Sequence, residues 1–245
     1  MLTAAELRIL RAHERGHADH GWLQANHSFS FADYHDPDRM GFGHLRVLNQ
    51  DRVQAGGGFA THGHQDMEIV TWVQAGELIH EDSMGNRGSL RAGELQVMSA
   101  GRGVRHSELN GSQEEAVELL QMWILPAHLG TEPRWEQRLS PVEERGGRFA
   151  QLVGPAREAT GGVLAIDQDA RLFATWLEEG RSATFEIAPG RRTYLQVARG
   201  GVRLASEELS AGDGVAIDPS EEARRLELSG LDPATPADVV VWDLA

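Results

Sequence analysis

Two residue types are missing altogether. The 245-residue chain has no cysteine, and all 23 of its basic residues are arginine, so it has no lysine either. Without cysteine there can be no disulfide, thiolate nucleophile or sulfur-rich metal site. Without lysine there is no Schiff base and no lysine-dependent phosphate loop. No apolar run reaches the roughly 18 residues of a membrane-crossing helix. The opening MLTAAELRILRAHERGHADH lacks the apolar stretch and small-residue cleavage site of a signal peptide, so a cytoplasmic protein is expected. Positive charge is scarce: 37 acidic residues leave a net charge of -14. Such a surface repels nucleic acid and anionic membrane, and neither is an expected direct partner. Histidine is absent from everything after His128. Metal or proton chemistry that needs imidazole therefore belongs to the first half.

What is present reads as β. Short apolar-rich runs recur between Gly, Asp and Asn turns: FGHLRVLN, MEIVTWVQ, GELIHED, GELQVMSA and VELLQMWIL. Several alternate with period two, as half-buried strands do. Within EDSMGNRGS, Asn86 and Gly88 read as hairpin turn residues. Even spacing without helical patterns predicts an antiparallel sandwich or barrel. Residues 127 to 147 carry prolines and many charges and read as a surface connection between domains. A second strand-rich stretch follows. Its segment YLQVARGGVRLASEELSAGDGVAI repeats the rhythm of WVQAGELIHEDSMGNRGSLRAGELQVM. The expectation is two β-barrels in tandem, residues 1–130 and 131–245, the second without metal. Its nearest acidic candidates, Glu207, Glu208 and Asp213, read as a solvated loop.

The densest chemistry lies in GFATHGHQDMEIV and SAGRGVRHSELN. His62 and His64 are two apart, as are His106 and Glu108. On a strand, such side chains leave from one face about 7 Å apart along the chain, so both can reach one ion. If the two strands are neighbours, four side chains converge. Three imidazoles and one carboxylate suit iron(II), manganese, copper, nickel, cobalt or zinc. Four ligands leave a position open, the mark of a catalytic site. Spacing alone leaves Glu68 as an alternative carboxylate. The other histidines read more plainly. His13, His17, His20 and His128 face solvent, His27, His35 and His44 pack among aromatics, and His80 makes a structural hydrogen bond, with support of a metal ligand from behind as its other reading. Phe59, Met98 and Met122 are candidates to line a flat pocket, with core packing as the alternative.

These clusters resemble the two cupin motifs: Gly56, His62, His64 and Glu68, then Gly93, His106 and Asn110. Beyond that, GWLQANHSFSFADYHDP, GFGHLRVLNQD, THGHQDMEIVTWV, GELIHEDSMGN, GELQVMSAGRGVRHSE and LLQMWILP look like the pirin family, especially bacterial pirin-like quercetin 2,3-dioxygenases. The resemblance implies an all-β bicupin of two jelly-roll-like barrels, with the metal, iron(II) above all, in the first. It implies Glu108 rather than Glu68 as the carboxylate ligand and general base. It further implies a flavonol substrate such as quercetin, with dioxygen as co-substrate and carbon monoxide as a product. The expected chain is a monomer. The family also allows another reading, a non-catalytic metal- or redox-sensing regulator that binds a protein partner. One departure stands out: family members usually place Pro between the first two histidines, where this chain has Gly63.

Overall fold

Apolar and polar residues in alternation, cut by glycine turns, build nearly the whole chain from strands. The computed structural model describes residues 2–245. The first strands are β1 (Arg8–Leu10), β2 (Gly16–Asp19), β3 (Leu23–His27), β4 (Leu45–Val53), β5 (Gly58–His64), β6 (Glu68–Ala75), β7 (Glu77–Asp82), β8 (Arg87–Arg91), β9 (Glu94–Ser99), β10 (Val104–Asn110), β11 (Val117–Ile124) and β12 (Arg134–Leu139). Then come β13 (Ala150–Pro155), β14 (Leu164–Ile166), β15 (Ala170–Leu177), β16 (Ser182–Ile187), β17 (Arg192–Arg199), β18 (Gly201–Leu204), β19 (Glu207–Ser210), β20 (Gly214–Ile217), β21 (Arg224–Gly230) and β22 (Ala237–Leu244). No helix among the described residues is long and apolar enough to cross a membrane.

The strands divide between two units. One holds residues 16–140 and 155–168; the other holds the N-terminal segment as far as Arg15, residues 141–154 and residues 169–245. The first unit carries a sheet in the order β12-β9-β6-β11-β4-β3-β2 and a second sheet, β5-β10-β7-β8. The other unit runs β1-β20-β17-β22-β15-β13, with a second sheet β16-β21-β18-β19. The two orders match strand for strand from β9 and β20 onward, so the repeat read from the sequence is real: the chain is two tandem cupin-type jelly-roll barrels. The units differ from a single cut after residue 130. Residues 2–15 belong with the C-terminal barrel, where β1 pairs with β20. The segment 127–147 is not purely a connection either, because it contains β12, which pairs with β9.

Each barrel buries its own apolar core. In the first, Trp72, Leu78, Leu90 and Leu119 are fully buried. Each such side chain contributes about 1.5–3 kcal/mol by leaving water. Met98 and Met122 are core residues too. In the second barrel, Ala183 and Phe185 on β16 and Leu226 and Leu228 on β21 fill the interior with apolar groups. Glu207 and Asp213 bind Arg11 at 2.9 and 3.0 Å, and Asp213 is buried, so these acids form an ion-pair cluster and not a solvated loop.

Candidate metal centre

The site grows from the pairing of β10 with β5. Along β10, Val104, His106, Glu108 and Asn110 alternate inward while Arg105 and Leu109 do not. The register sets His106 opposite His62, but Glu108 opposite Phe59, so β5 carries an extra residue there. Such a bulge bends a strand and re-aims its side chains. The result brings three imidazoles together. Ring centroids lie 4.5 Å apart for His62 and His106, 4.7 Å for His62 and His64, and 4.9 Å for His64 and His106. One ligand atom from each lies within 4.8 Å of the others, and the same holds for His80, His106 and Glu108. Glu108 therefore adjoins the cluster on its His106 side. Both of these groupings, the ones found among the described residues, belong to the first barrel.

The donors are prepared for a cation. His62 Nδ1 donates to the Ala60 carbonyl at 2.8 Å, which leaves its Nε2 as a lone pair. Burial pushes His64 down to about 4, helped by the nearby His62. Burial also pushes His106 down to about 3, with His62 and His64 adding to the effect. Both rings stay neutral, as ligands must. Among the described residues, His106 Nε2 is buried and has no hydrogen-bond partner. A buried polar atom left bare is costly, and an ion there would satisfy it. The donor set thus fits a divalent transition metal.

Glu108 is fully buried, and burial raises its carboxyl above the ordinary range. Its oxygens accept from Thr71 Oγ1 (3.1 Å), Gln96 Nε2 (2.6 Å) and Gln121 Nε2 (2.8 Å). Two tryptophans fix which way these amides point. Trp135 Nε1 donates to Gln96 Oε1 at 2.8 Å and Trp123 Nε1 to Gln121 Oε1 at 3.2 Å. Indole N–H can only donate, so each glutamine must present its NH₂ to Glu108. Sequence reasoning missed these supports. Their one signal was a glutamine set inside each of the apolar runs ELQVMS and LLQMWIL.

Glu68 lies elsewhere. It accepts from Ser99 Oγ at 2.6 Å and sits 3.8 Å from Arg134. Burial raises its carboxyl to about 7, against the lowering effects of Ser99 and Arg134. It belongs to neither grouping of metal-type donors found among the described residues. Gly63 has extended backbone, and a Cβ there would meet its nearest neighbour at 3.7 Å, an ordinary contact. Asn110 is no ligand, since its amide bonds the Val53, Gln54 and Glu115 carbonyls. His27 packs against Phe31 as expected, whereas His35 is exposed, in a polar turn. Gly88 is not a turn residue; it lies in β8 opposite His80.

Beside the cluster opens a cavity of about 560 Å³, lined among others by Trp22, Phe31, Phe59, His62, His64, Glu108, Gln121 and Trp123. It is within the range of roughly 300–1,000 Å³ typical of small-molecule sites. Its walls are mostly aromatic and apolar, and the polar groups gather at the histidines and along Asn49, Asp51 and Gln121.

Two jelly-roll barrels, with the metal-type donor groupings found among the described residues gathered in the first, define a bicupin. Residues 9–124 match the family model for pirin, and residues 152–244 match that for the quercetinase C-terminal cupin domain. The chain is 46% identical over 209 residues to a quercetin 2,3-dioxygenase of Escherichia coli K12, covering 85% of this chain and 88% of that protein. It is 42% identical over 202 residues to a pirin-like protein of Caulobacter vibrioides, covering 82% and 86%. Among solved structures, the bacterial pirin YhhW of Escherichia coli in complex with nickel(II) superposes with a TM-score of 0.87 at 41% identity, over 97% of this chain and 98% of that one. The chain belongs to the pirin family.

Proposed function

We propose that this protein is a metal-dependent dioxygenase that opens a flavonol such as quercetin with dioxygen and releases carbon monoxide. His62, His64, His106 and Glu108 hold its one divalent transition metal, iron(II) in our reading. The observation that carries this reading is the clustering of His62, His64 and His106, with the buried Glu108 adjoining His106, beside a mostly apolar, aromatic-walled cavity that His62, His64 and Glu108 help to line. Relatives named for quercetin cleavage, and one solved with nickel(II), support it. A bound ion supplies Lewis acidity toward the flavonol hydroxyl and an open position beside it.

The protein's own groups do the rest. Trp22, Phe59 and Trp123 offer ring faces and edges that hold a planar substrate and keep water out. Glu108 lines the same cavity and accepts the flavonol hydroxyl proton. When released from the metal, its buried carboxyl holds a proton more readily than an exposed one, which suits it to that task. Gln121 and Gln96, locked by their tryptophans, keep the carboxylate aimed while the proton moves. Both atoms of dioxygen enter the carbon skeleton and one ring carbon leaves as carbon monoxide.

The test is aerobic incubation of iron(II)-loaded protein with quercetin. Loss of flavonol absorbance with matching release of carbon monoxide is expected. Metal-loaded protein that leaves quercetin intact would overturn the reading and favour the regulator.

A further inference from the structure

We infer that His80 and Asp82 are positioning residues for the metal centre: they fix the proton of His106 on Nδ1 and so reserve its Nε2 lone pair for the ion. The inference rests on the proposed role of His106 as a ligand.

Asp82 is surrounded by groups that give hydrogen bonds. Its Oδ1 accepts from the Met84 and Asn86 backbone N–H groups at 2.9 and 3.0 Å, and its Oδ2 from Asn86 Nδ2 at 2.9 Å. The same Oδ2 lies 3.2 Å from His80 Nε2. A carboxylate accepts only, so His80 Nε2 carries a proton, and in the tautomer with that one ring proton Nδ1 is the acceptor. That Nδ1 lies 3.5 Å from His106 Nδ1. With an acceptor facing it, His106 Nδ1 must be the donor. One tautomer remains for His106, with Nε2 bare, and Nε2 is the buried atom without a partner among the described residues.

The surroundings hold the relay in place. His80 is fully buried and stacks on Trp135 with centroids 5.0 Å apart and planes 11° apart. Gly88, opposite His80 in the ladder, makes that stack possible, because a Cβ there would come within 2.5 Å of the Trp135 ring. The indole that stacks on His80 is the one that orients Gln96 against Glu108. Both β10 side chains that face the ion are thus braced from the same side, one by a histidine–carboxylate pair and one by an amide. Outer hydrogen bonds of this kind set the tautomer and basicity of a ligating imidazole.

The experiment reads the tautomer directly. Nitrogen chemical shifts of the imidazole rings are measured by NMR in metal-free protein, and nickel(II) affinity is titrated in parallel, for wild type and Asp82→Asn. Wild type should carry the His106 proton on Nδ1. Asp82→Asn puts an amide N–H opposite His80 Nε2, which drives the His80 proton to Nδ1 and the His106 proton to Nε2. Nickel(II) binding should then weaken by about 10–100-fold, with the fold retained by circular dichroism. A His106 proton on Nε2 in wild type would overturn the inference, as would wild-type nickel(II) affinity in folded Asp82→Asn. Should that variant fail to fold, the wild-type tautomer alone decides. Wild type that binds no nickel(II) would sink the ligand reading instead, while the tautomer still tests the relay.

Discussion

Glu108 is a buried carboxylate whose hydrogen-bond donors among the described residues, Thr71, Gln96 and Gln121, are all neutral. Its charge lacks a matching cation there, and an ion beside it would supply one. Glu108→Gln should therefore lose the metal and quercetin turnover together, whereas Glu68→Gln should keep the metal; analysis of metal content checks both. The reverse pattern would mean that Glu68 is the ligand. Acid should act through the same residue. His64 and His106 stay neutral down to about 4 and about 3. Between the ordinary imidazole value of 6.5 and about 4, these two rings do not compete with the ion for a proton. Glu108, whose carboxyl burial raises above its ordinary 4.5, takes a proton before either ring does as pH falls. Nickel(II) affinity should therefore begin to fall before His64 or His106 is protonated, which NMR can follow separately. The three clustered histidines were legible in the sequence because period-two spacing is a local rule. His80 and Asp82 show the same spacing, yet their direction toward His106 depends on strand pairing that no local rule contains.

At the level of strands, β8 and β12 meet at Gly88 and Trp135. Gly88→Ala would press a methyl group into the indole. Overpacking of this kind costs roughly 1–3 kcal/mol. It should also tilt Trp135 off His80, so both thermal stability and nickel(II) affinity are expected to drop. A loss of stability with unchanged affinity would show that the stack is mere packing. The sequence hid β12 for a physical reason. It is an edge strand, and edge strands carry charges that discourage pairing with other chains. Arg134, Glu136 and Arg138, flanked by Pro133 and Pro141, therefore read as a loop. Trp135 looked like an isolated aromatic until the fold laid it over a histidine some fifty positions earlier.

Across the whole molecule, one strand plan is used twice with different contents. The N-terminal copy turns imidazoles inward from β5 and β10; the equivalent β16 and β21 turn Phe185, Leu226 and Leu228 inward. The repeat was legible because both copies keep the same turn rhythm. The capture of β1 by the C-terminal barrel was not, because three residues with no strong pattern carry it. Stability and metal chemistry should accordingly separate. In the C-terminal barrel, Arg145 and Asp238 form a buried ion pair at 2.6 Å. Burial pushes Asp238 up to about 6 even beside Arg145. Arg145→Ala should cost about 3–5 kcal/mol by stranding that carboxylate. A raised carboxyl favours the fold when protonated, and losing Arg145 removes a contact that holds Asp238 down, so the variant should regain stability as pH falls, starting above the wild-type value of about 6. Denaturant titrations at several pH values check this, with metal content expected to stay at the wild-type level.

The central claim is a single metal held by the N-terminal histidines. The direct measurement is elemental metal analysis of protein purified without chelators, as wild type, His62→Ala and His106→Ala. The account predicts one transition-metal ion per wild-type chain and none in either variant. Wild-type stoichiometry retained in both variants would contradict it.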